Sequence, residues 1–505
     1  MPPRPWPTTR HLTVRHLTLR QPRRGRPSSR VRRHGAAHPD EYVASVADGR
    51  VLWYRGRRVP DLRDEPDLRV ALAHAALDYE VAERPEHREL AVDTDPETGD
   101  DHSAYYSLPR SGDDLLRRSR LIETVTALGG TMVTLIKEIG SDAVFALLRT
   151  LDGEALERAE TFWRHCRDND LAVAVAQTDA KGDRSRPPHL QDDPDLYVRV
   201  VDEREDGIVV RGAKCHTSVS ANADELVVLP TRAMTDESRD YAVAFAVPVN
   251  TPGLSLYISS YGAGERQGFE FPLSSRHKML ETLTVFDDVL VPWDRVFLCR
   301  RPELAGPLAL SFVEYHRFTA VSYKLPLLDA LVGSAAVIAE MNGVARAGHI
   351  RDKLAALVAY AENVRALTHL AALRADHERG LAAPDPLTTN LAKYTFATNY
   401  HRSLEWVQDC AGGLLVTGPG QEDWDADDVR PVLEKYYGAA APAEERLRMM
   451  HLVADLTARD FGGYHAVLAV HAEGSIEAEK LGLLRAHDTE RTAAYARRLA
   501  GVTGT

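Results

Sequence analysis

Residues 207–234, GIVVRGAKCHTSVSANADELVVLPTRAM, determine how the middle of this chain folds. The runs GIVVRGAKCHTS and ELVVLP are rich in β-branched residues and are separated by a polar turn, which is the pattern of two strands. Upstream, residues 169–185 read NDLAVAVAQTDAKGDRS, an apolar run that ends in charged residues around Gly182. These two stretches predict neighbouring strands with a charged turn at the entry to a β region.

The pattern changes on both sides of this region. Six or more short β-rich runs lie between residues 171 and 298 without intervening helices, which indicates a barrel or a sandwich rather than a βαβ array. Before it, Leu156, Ala159 and Phe162 recur at helical spacing, and after it Leu354 and Leu357 begin another such stripe. The sequence therefore predicts a helical region, a β region and a second helical region.

Composition narrows the class of protein. The 505 residues carry a net charge of -12, yet residues 1–33 hold ten arginines and no acid. The chain after residue 33 is therefore strongly acidic, and such a protein does not bind nucleic acid through bulk charge. Residues 1–37 are interpreted as a basic, disordered tail. The apolar stretch 330–339 is about half a membrane span. No signal-peptide core is visible, and the four cysteines are widely spaced. We expect a cytoplasmic protein that does not span a membrane.

The familiar nucleotide motifs do not fit. The segment 262–268, GAGERQG, has a dinucleotide-like glycine spacing, but FEFPLSSR follows it where a Rossmann loop needs a helix. The glycines at 412–420 are not followed by Lys-Ser or Lys-Thr, which excludes a P-loop. The chain therefore has no evident site for NADH.

From about Glu41 to Val502 the chain resembles the 4-hydroxyphenylacetate 3-hydroxylase / 4-hydroxybutyryl-CoA dehydratase family. The resemblance rests on QTDAKGDRS, GAKCHTSVSANADE, PLSSR, VFDDVLVPWDRVFL, YHRFTAVSYK and AGGLLVTGP, in that order. It implies an α+β, acyl-CoA dehydrogenase-like fold with a helical N-terminal domain (38–168), a central β-barrel (169–303) and a C-terminal four-helix bundle (304–505). It further implies FAD between the last two domains and a homotetramer or homodimer.

Members of the dehydratase branch hold an iron-sulfur cluster through three cysteines and a histidine. His316 matches that histidine, but Tyr323 stands where a cysteine is expected, and no cysteine precedes Cys166. Because thiolates hold such clusters, we expect no iron-sulfur cluster and no other metal. Glu281 and Lys324 match other residues of that branch.

Two further dehydratase positions do not match. The tyrosine of that branch falls on Ala320, and its C-terminal glutamate falls in an apolar stretch near Val467. The hydroxylase branch is favoured by PLSSR, although its phenol-binding residues fall on Thr134, Glu138 and Gln177. The resemblance therefore implies hydroxylase-like chemistry on a substrate other than 4-hydroxyphenylacetate.

The expected function is a two-component monooxygenase that uses FADH2 from a separate flavin reductase. By resemblance, O2 forms a C4a-hydroperoxide on the flavin, which hydroxylates a small aromatic or amino-acid-derived metabolite. The expected catalytic residues are His316, Tyr323 and Glu281, and the expected cofactor-binding residues are Gln177, Thr178, Arg184, Thr217, Ser218 and Arg276. Two alternatives remain open: a cluster-free, flavin-dependent acyl-CoA isomerase or dehydrogenase, and a scaffold protein without flavin.

Overall fold

The computed structural model describes residues 37–502, so the predicted tail lies outside the described residues except for Ala37. The first region is mainly helical. Its elements are α1 (Pro39–Ser45), β1 (Leu52–Tyr54), β2 (Arg57–Val59), α2 (Pro66–Ala75), α3 (Leu77–Glu83), α4 (Arg88–Ala91), β3 (Val92–Thr94), β4 (Asp101–Ser103), α5 (Gly112–Leu128), α6 (Glu138–Thr150) and α7 (Gly153–Asp168).

The central region is built from strands in two sheets. The strands are β5 (Val173–Ala176), β6 (Arg199–Glu203), β7 (Gly207–Ser218), β8 (Glu225–Val228), β9 (Val243–Pro248), β10 (Leu254–Ile258), β11 (Glu281–Pro292) and β12 (Val296–Cys299). A six-stranded sheet has the order β2-β1-β10-β11-β7-β6, and a four-stranded sheet has the order β12-β9-β8-β5. The long pair β7–β11 is antiparallel, whereas β1–β10 and β5–β8 are parallel.

The expected closed β-barrel is not what the described residues form. The strand ladders of the two sheets do not join into one closed ladder, and the sheets contact each other instead through side chains. Phe245 on β9 meets Phe286 on β11 edge to face, with ring centroids 5.7 Å apart. The first sheet also recruits the hairpin β1–β2 from the N-terminal region, so its edge is covered by a strand from outside the predicted β domain.

The C-terminal region returns to helices. They are α8 (Pro302–Met341), α9 (Gly348–Leu373), α10 (Pro386–Ala411), α11 (Gln421–Asp425), α12 (Arg430–Tyr437), α13 (Ala443–Thr457), α14 (Asp460–His471), α15 (Ile476–Ala486) and α16 (Thr489–Leu499), with a small hairpin of β13 (Asp376–Glu378) and β14 (Leu381–Ala383). Helix α8 packs on α9, α10 and α13, but also on α5 and α6 of the first region. A separate four-helix bundle therefore stays a prediction.

Local sequence explains several element boundaries. Helix α10 begins where the Asp385 carboxylate accepts the Thr388 backbone N–H at 2.7 Å, with Pro386 as its first residue. The same helix ends at Gly412, whose φ of +84° a side chain would disfavour. Helix α6 approaches β5 closely at Gly140, where an added Cβ would lie 2.3 Å from the Val173 Cβ. Helices α6 and α10, whose ends and close approaches are set in this way, both pack on α8.

Helix α8 is the centre of the fold. Its 40 residues include a window of mean hydropathy 1.4, so by length and composition it is the one helix within residues 37–502 that could cross a membrane. However, 61% of that window is buried inside the protein. A core helix covered by its neighbours satisfies the same criterion, and α8 is covered by helices from both flanking regions.

Candidate active site

The middle of α8 carries buried polar side chains where a core helix would usually carry apolar ones. His316 lies at its centre: its Nδ1 is 3.2 Å from Oδ2 of Asp142 on α6. The other Asp142 oxygen accepts hydrogen bonds from Arg118 (2.8 Å) and Thr319 (3.0 Å). The His316 ring stacks on Phe312, and only 12% of its side chain is exposed. Because a carboxylate holds one ring nitrogen, the orientation of His316 is fixed.

Two turns further along, Tyr323 and Lys324 meet Glu473. The Lys324 ammonium lies 2.8 Å from Glu473 Oε2, Lys393 lies 3.4 Å from the same oxygen, and the Tyr323 hydroxyl donates to Oε1. Glu473 follows α14 with a φ of +55°, a conformation that costs about 1–3 kcal/mol in a residue other than glycine. Such strain persists only where the surroundings enforce it, and here two buried ammonium groups do so.

The turn that carries Glu473 is clamped onto α8. Arg317 donates from Nε to the Glu473 carbonyl at 2.9 Å and from Nη1 to Asn390 at 2.5 Å. Gly474 follows with a φ of +108°, and an added Cβ would lie 2.5 Å from the Arg317 guanidinium. The clamp therefore requires glycine at this position and holds the Glu473 carboxylate inside the helical layer.

The electrostatics of this group favour an ionised carboxylate. Burial alone would raise the pKa of Glu473, but the charges of Lys324 and Lys393 outweigh it and lower that pKa to about 2. Burial lowers the pKa of Lys324 to about 8, against the opposing effect of Glu473. The pKa of Tyr323 is raised well above its ordinary value by burial and then by Glu473. Tyr323 is therefore a hydrogen-bond donor at neutral pH.

A second carboxylate lies at the start of β11. Glu281 accepts hydrogen bonds from Ser218 Oγ (2.9 Å) and the Tyr464 hydroxyl (2.5 Å), and its Oε2 lies 3.1 Å from His216 Nδ1. Tyr464, on α14, stacks on Tyr261 with centroids 4.8 Å apart. Glu281 is buried and also contributes to the raised pKa of Tyr323. The strand end and the α8–α14 layer therefore face one another.

The first predicted flavin segment lies against β7. Lys214 on β7 donates to the Gln177 carbonyl at 2.8 Å and to the Asp179 carboxylate at 2.5 Å, and the backbone N–H of Cys215 donates to the Thr178 carbonyl at 2.9 Å. The Gln177 and Thr178 side chains are half-buried. These bonds join the segment to the strand that carries Thr217 and Ser218, as a shared binding surface requires.

Thr217 has a property that suits ligand binding. It is 1% exposed, and its Oγ1 has no hydrogen-bond partner among residues 37–502. Among the described residues the buried hydroxyls of Thr126, Thr389 and Tyr400 are unpaired as well, so the assignment of Thr217 to the flavin rests on its motif. Arg184 and Arg276, the two predicted cationic contacts, are exposed.

Thr134 and Glu138 stand where the resemblance places the family's phenol-binding pair, and both are hydrogen-bonded inside the protein. Thr134 donates to Glu138 Oε1 at 3.0 Å, and the Tyr105 hydroxyl donates to the same oxygen at 3.3 Å. Both Thr134 and Glu138 are buried. Burial, and then the charge of Glu138, raise the pKa of nearby Asp78 well above its ordinary value. This pair is therefore engaged in an internal acidic cluster.

Four residues of the site were not predicted from the sequence: Asp142, His216, Tyr464 and Glu473. His216 lies in the predicted strand GIVVRGAKCHTS, directly before Thr217, so the sequence could have indicated it as a site residue. The resemblance places the dehydratase branch's C-terminal glutamate at an apolar stretch near Val467, which is 60% exposed, whereas the carboxylate that meets α8 is Glu473, in the turn after α14. The Ala-Glu-Gly-Ser sequence of that turn gave no indication of a buried carboxylate.

The donor set around His316 does not suit an iron-sulfur cluster. The chain has cysteines only at 166, 215, 299 and 410, and none is on α8. Within residues 37–502, no group of three or more His, Cys, Asp or Glu side chains is arranged to hold a metal ion. The partners of α8 are instead hydroxyl, carboxylate and ammonium groups.

Comparison with known proteins places this arrangement in a family. Residues 38–298 match the sequence model described as 4-hydroxyphenylacetate 3-hydroxylase N terminal, and residues 305–501 match the corresponding C-terminal model. The chain is 33% identical, over 81% of its length and 86% of the relative, to the 4-hydroxyphenylacetate 3-monooxygenase oxygenase component of Thermus thermophilus. It is 29% identical, over 92% of its length and 99% of the relative, to 4-hydroxybutyryl-CoA dehydratase/vinylacetyl-CoA-Delta-isomerase of Clostridium aminobutyricum.

A solved structure agrees with these relatives. The crystal structure of the oxygenase component of 4-hydroxyphenylacetate 3-monooxygenase, complexed with FAD and 4-hydroxyphenylacetate, superimposes with a TM-score of 0.86 at 30% identity. The match covers 92% of this chain and 98% of that one. The two sequence models together span most of the chain, and the resemblance noted from its motifs is confirmed. This protein belongs to the 4-hydroxyphenylacetate 3-hydroxylase family.

Proposed function

We propose that this protein is the oxygenase component of a two-component monooxygenase that uses FADH2 and hydroxylates a small aromatic or amino-acid-derived metabolite. FAD is its cofactor: a relative with a TM-score of 0.86 was crystallised with FAD, and the two flavin segments lie together here. A separate reductase supplies FADH2, in agreement with the absence of an NADH motif from the sequence. We further propose a homotetramer or homodimer in the cytoplasm.

The observation that carries this proposal is the donor set around His316. Its neighbours on α8 and in the turn after α14 offer the Tyr323 hydroxyl and the Glu473 carboxylate, where a cluster-dependent dehydratase needs thiolates. Hydroxylation needs no such cluster. It needs a water-excluding pocket, a bound flavin and groups that hold or move protons, and the described residues supply these groups.

Each predicted residue then has a defined task. Gln177, Thr178, Thr217 and Ser218 hold the isoalloxazine, and Arg184 and Arg276 supply positive charge for phosphate or substrate. His316 and Tyr323 face the substrate, while Glu281 orders the polar groups at the strand end. Bound FADH2 supplies the two electrons that activate O2, and the overall reaction is R–H + O2 + FADH2 → R–OH + FAD + H2O.

The acceptor differs from 4-hydroxyphenylacetate. In this chain Thr134 and Glu138 stand in place of the family's phenol-binding pair, and the Thr134 hydroxyl donates a hydrogen bond to Glu138. Neither side chain carries the positive charge that would pair with a carboxylate or a phenolate. We therefore assign the protein to specialised metabolism rather than to the breakdown of simple phenols.

One observation favours a second function, that of a cluster-free acyl-CoA isomerase or dehydrogenase. Glu281, His316 and Lys324 match the dehydratase branch, and the structure adds Glu473 beside Lys324. This set could serve proton transfer next to a thioester carbonyl. Binding of a CoA thioester with a change in the flavin spectrum would favour this function over oxygenation.

The deciding experiment is anaerobic binding of FADH2 followed by rapid mixing with aerated buffer that contains ¹⁸O2 and a panel of phenols, amines and acyl compounds. The proposal expects FADH2 to bind and one ¹⁸O atom to enter a product. Binding without oxygen incorporation across the panel would count against it and make CoA thioesters the next ligands. Failure to bind FAD in either redox state would indicate the scaffold alternative.

The role of Thr217 can be tested separately. Thr217→Val should weaken FAD binding about 2- to 10-fold, since a net hydrogen bond contributes about 0.5–1.5 kcal/mol. It should not reduce the stability of the protein without FAD, because the hydroxyl has no protein partner there. Thr284→Val is the matched control: its hydroxyl is buried on β11 and paired with Thr282 at 3.0 Å. The control should lose stability but keep its FAD affinity, as measured by fluorescence titration and thermal unfolding.

A further inference from the structure

The protein contains two histidine–carboxylate pairs in the candidate site, and they differ in access. In the first, His316 is 12% exposed, enclosed between α6 and α8, and stacked on Phe312. In the second, His216 has a side chain that is 57% exposed, while its partner Glu281 is 8% exposed. The two pairs are therefore suited to different tasks.

The geometry of the second pair determines which ring nitrogen of His216 carries the proton. Glu281 is an acceptor for the Ser218 and Tyr464 hydroxyls and for the ring nitrogen of His216. With Nδ1–H directed at the carboxylate, the free position of the neutral ring is Nε2, which is an acceptor. Nε2 has no hydrogen-bond partner within residues 37–502. A buried carboxylate thus holds an accessible base.

The position of His216 gives this base a target. It follows Cys215, whose backbone N–H bonds the Thr178 carbonyl of the first predicted flavin segment. Ser218, a predicted flavin contact on the same strand, shares the Glu281 carboxylate with His216, so these two side chains lie on the same side of β7. An acceptor molecule that lies beside the flavin at this strand end is within reach of the imidazole.

We propose that His216, oriented by Glu281, is the catalytic base that exchanges a proton with the O–H or N–H group of the acceptor. This proposal rests on the proposed function. In the step, the acceptor's O–H or N–H bond breaks, its electron pair stays on the acceptor, and the proton forms a bond to Nε2. The resulting imidazolium is balanced by Glu281 and returns the proton once the acceptor is hydroxylated, so that no net proton is consumed. Glu281 acts as a positioning residue.

The charges that face His216 support this role. The hydrogen bond with Glu281 raises the pKa of His216 above its ordinary value of 6.5, against the effects of burial and of Lys181 on the neighbouring loop. Tyr464 contacts the pair through Glu281 and stays neutral, because burial and then Glu281 raise its own pKa. A higher pKa makes the imidazole a stronger base towards the O–H or N–H group of the acceptor.

The proposal can be tested first without substrate or flavin. Modification of His216 by diethylpyrocarbonate, followed by peptide mass spectrometry across pH, reports the ionisation of the ring. We expect a midpoint above that of free histidine, and a lower midpoint in Glu281→Gln. Should Glu281→Gln fold poorly, Tyr464→Phe, which removes one donor from the carboxylate, should shift the midpoint in a folded protein. His165, whose Nε2 lies 3.4 Å from Glu225 Oε1, is the internal control, and its rate of modification should be the same in every variant.

The second arm uses bound FADH2. In the wild type, the rate at which an acceptor from the panel gains ¹⁸O should vary with pH around the midpoint found for His216. His216→Gln should lose that pH dependence, whereas His165→Gln, a change outside the site, should retain it. A pH profile unchanged in His216→Gln, or a midpoint unaffected by Glu281→Gln, would overturn the proposal. Failure of the wild type to bind FADH2 would instead overturn the proposed function and, with it, the catalytic role.

Discussion

Replacing Glu473 by glutamine should destabilise the protein by about 3–5 kcal/mol, the usual cost of removing one partner from a buried ion pair. The substitution removes the charge on which Lys324 and Lys393 converge, at 2.8 and 3.4 Å. The depressed pKa gives a similar magnitude: a fall from 4.5 to about 2 corresponds to about 3 kcal/mol. Lys393 keeps Glu479 at 3.4 Å, which favours the lower end of this range.

This loss can be expressed as a melting temperature. Unfolding entropy near 60 °C is about 2 cal/mol/K per residue, so for a chain of this length 1 kcal/mol shifts the midpoint by about 1 °C. Glu473→Gln should therefore lower the midpoint by about 3–5 °C in calorimetry, with urea unfolding as the second measurement. Glu473→Gln combined with Lys324→Met should recover part of the loss, because it removes both members of the pair.

Glu477→Gln is the matched control for this substitution. Its side chain is 77% exposed and pairs only with Lys480 on the surface, so we expect a change within about 0.5 kcal/mol. A difference of about 1 °C corresponds to about 1 kcal/mol for a chain of this length. If the midpoint of Glu473→Gln lies within about 1 °C of the control, the view of Glu473 as a buried charge held by two ammonium groups is refuted. The same conclusion would follow if the double substitution were as destabilising as two independent losses.

Two further predictions concern pH and packing. The folded-state pKa of Glu473 lies below its unfolded value of 4.5, so the stability that its charge contributes is fully present above pH 4.5 and is lost as the pH falls towards 2. In a plot of the urea midpoint against pH, Glu473→Gln should therefore show a smaller fall between pH 4.5 and pH 2 than the wild type. Gly140→Ala should cost about 1–3 kcal/mol, since its Cβ would lie 2.3 Å from a β5 side chain. Gly463→Ala on α14, with nothing within 4 Å, should not destabilise, and equal melting of the two would contradict the close approach.

Periodicity was enough to predict the order of the main regions. The helical spacing around Leu156 and Leu354, and the β-rich runs between them, correspond to α7, α9 and the strands of the two sheets. The motifs were enough to predict the family, since QTDAKGDRS and GAKCHTSVSANADE occur in the expected order. The sequence also indicated the absence of cysteine ligands near His316.

The closure of the β region could not be predicted in the same way. Strand β1 pairs with β10 about two hundred residues later, with Leu52 opposite Leu256. Nothing in the local pattern of either strand specifies such a partner, because period and propensity describe only which face of a strand is buried. The prediction of a barrel was wrong for that reason, whereas the prediction of β structure was not.

What the sequence determined by itself is the chemistry available: which residues are present, in which elements, and in which order along the family's motifs. Tertiary structure alone decided which of them meet. Asp142 and His316 are 174 residues apart, and Lys324 and Glu473 are 149 apart, yet both pairs are in contact. Such pairs form because a buried charge must find a partner once burial removes it from water. That partner is selected by the packing of α6, α8 and α14, not by spacing along the chain.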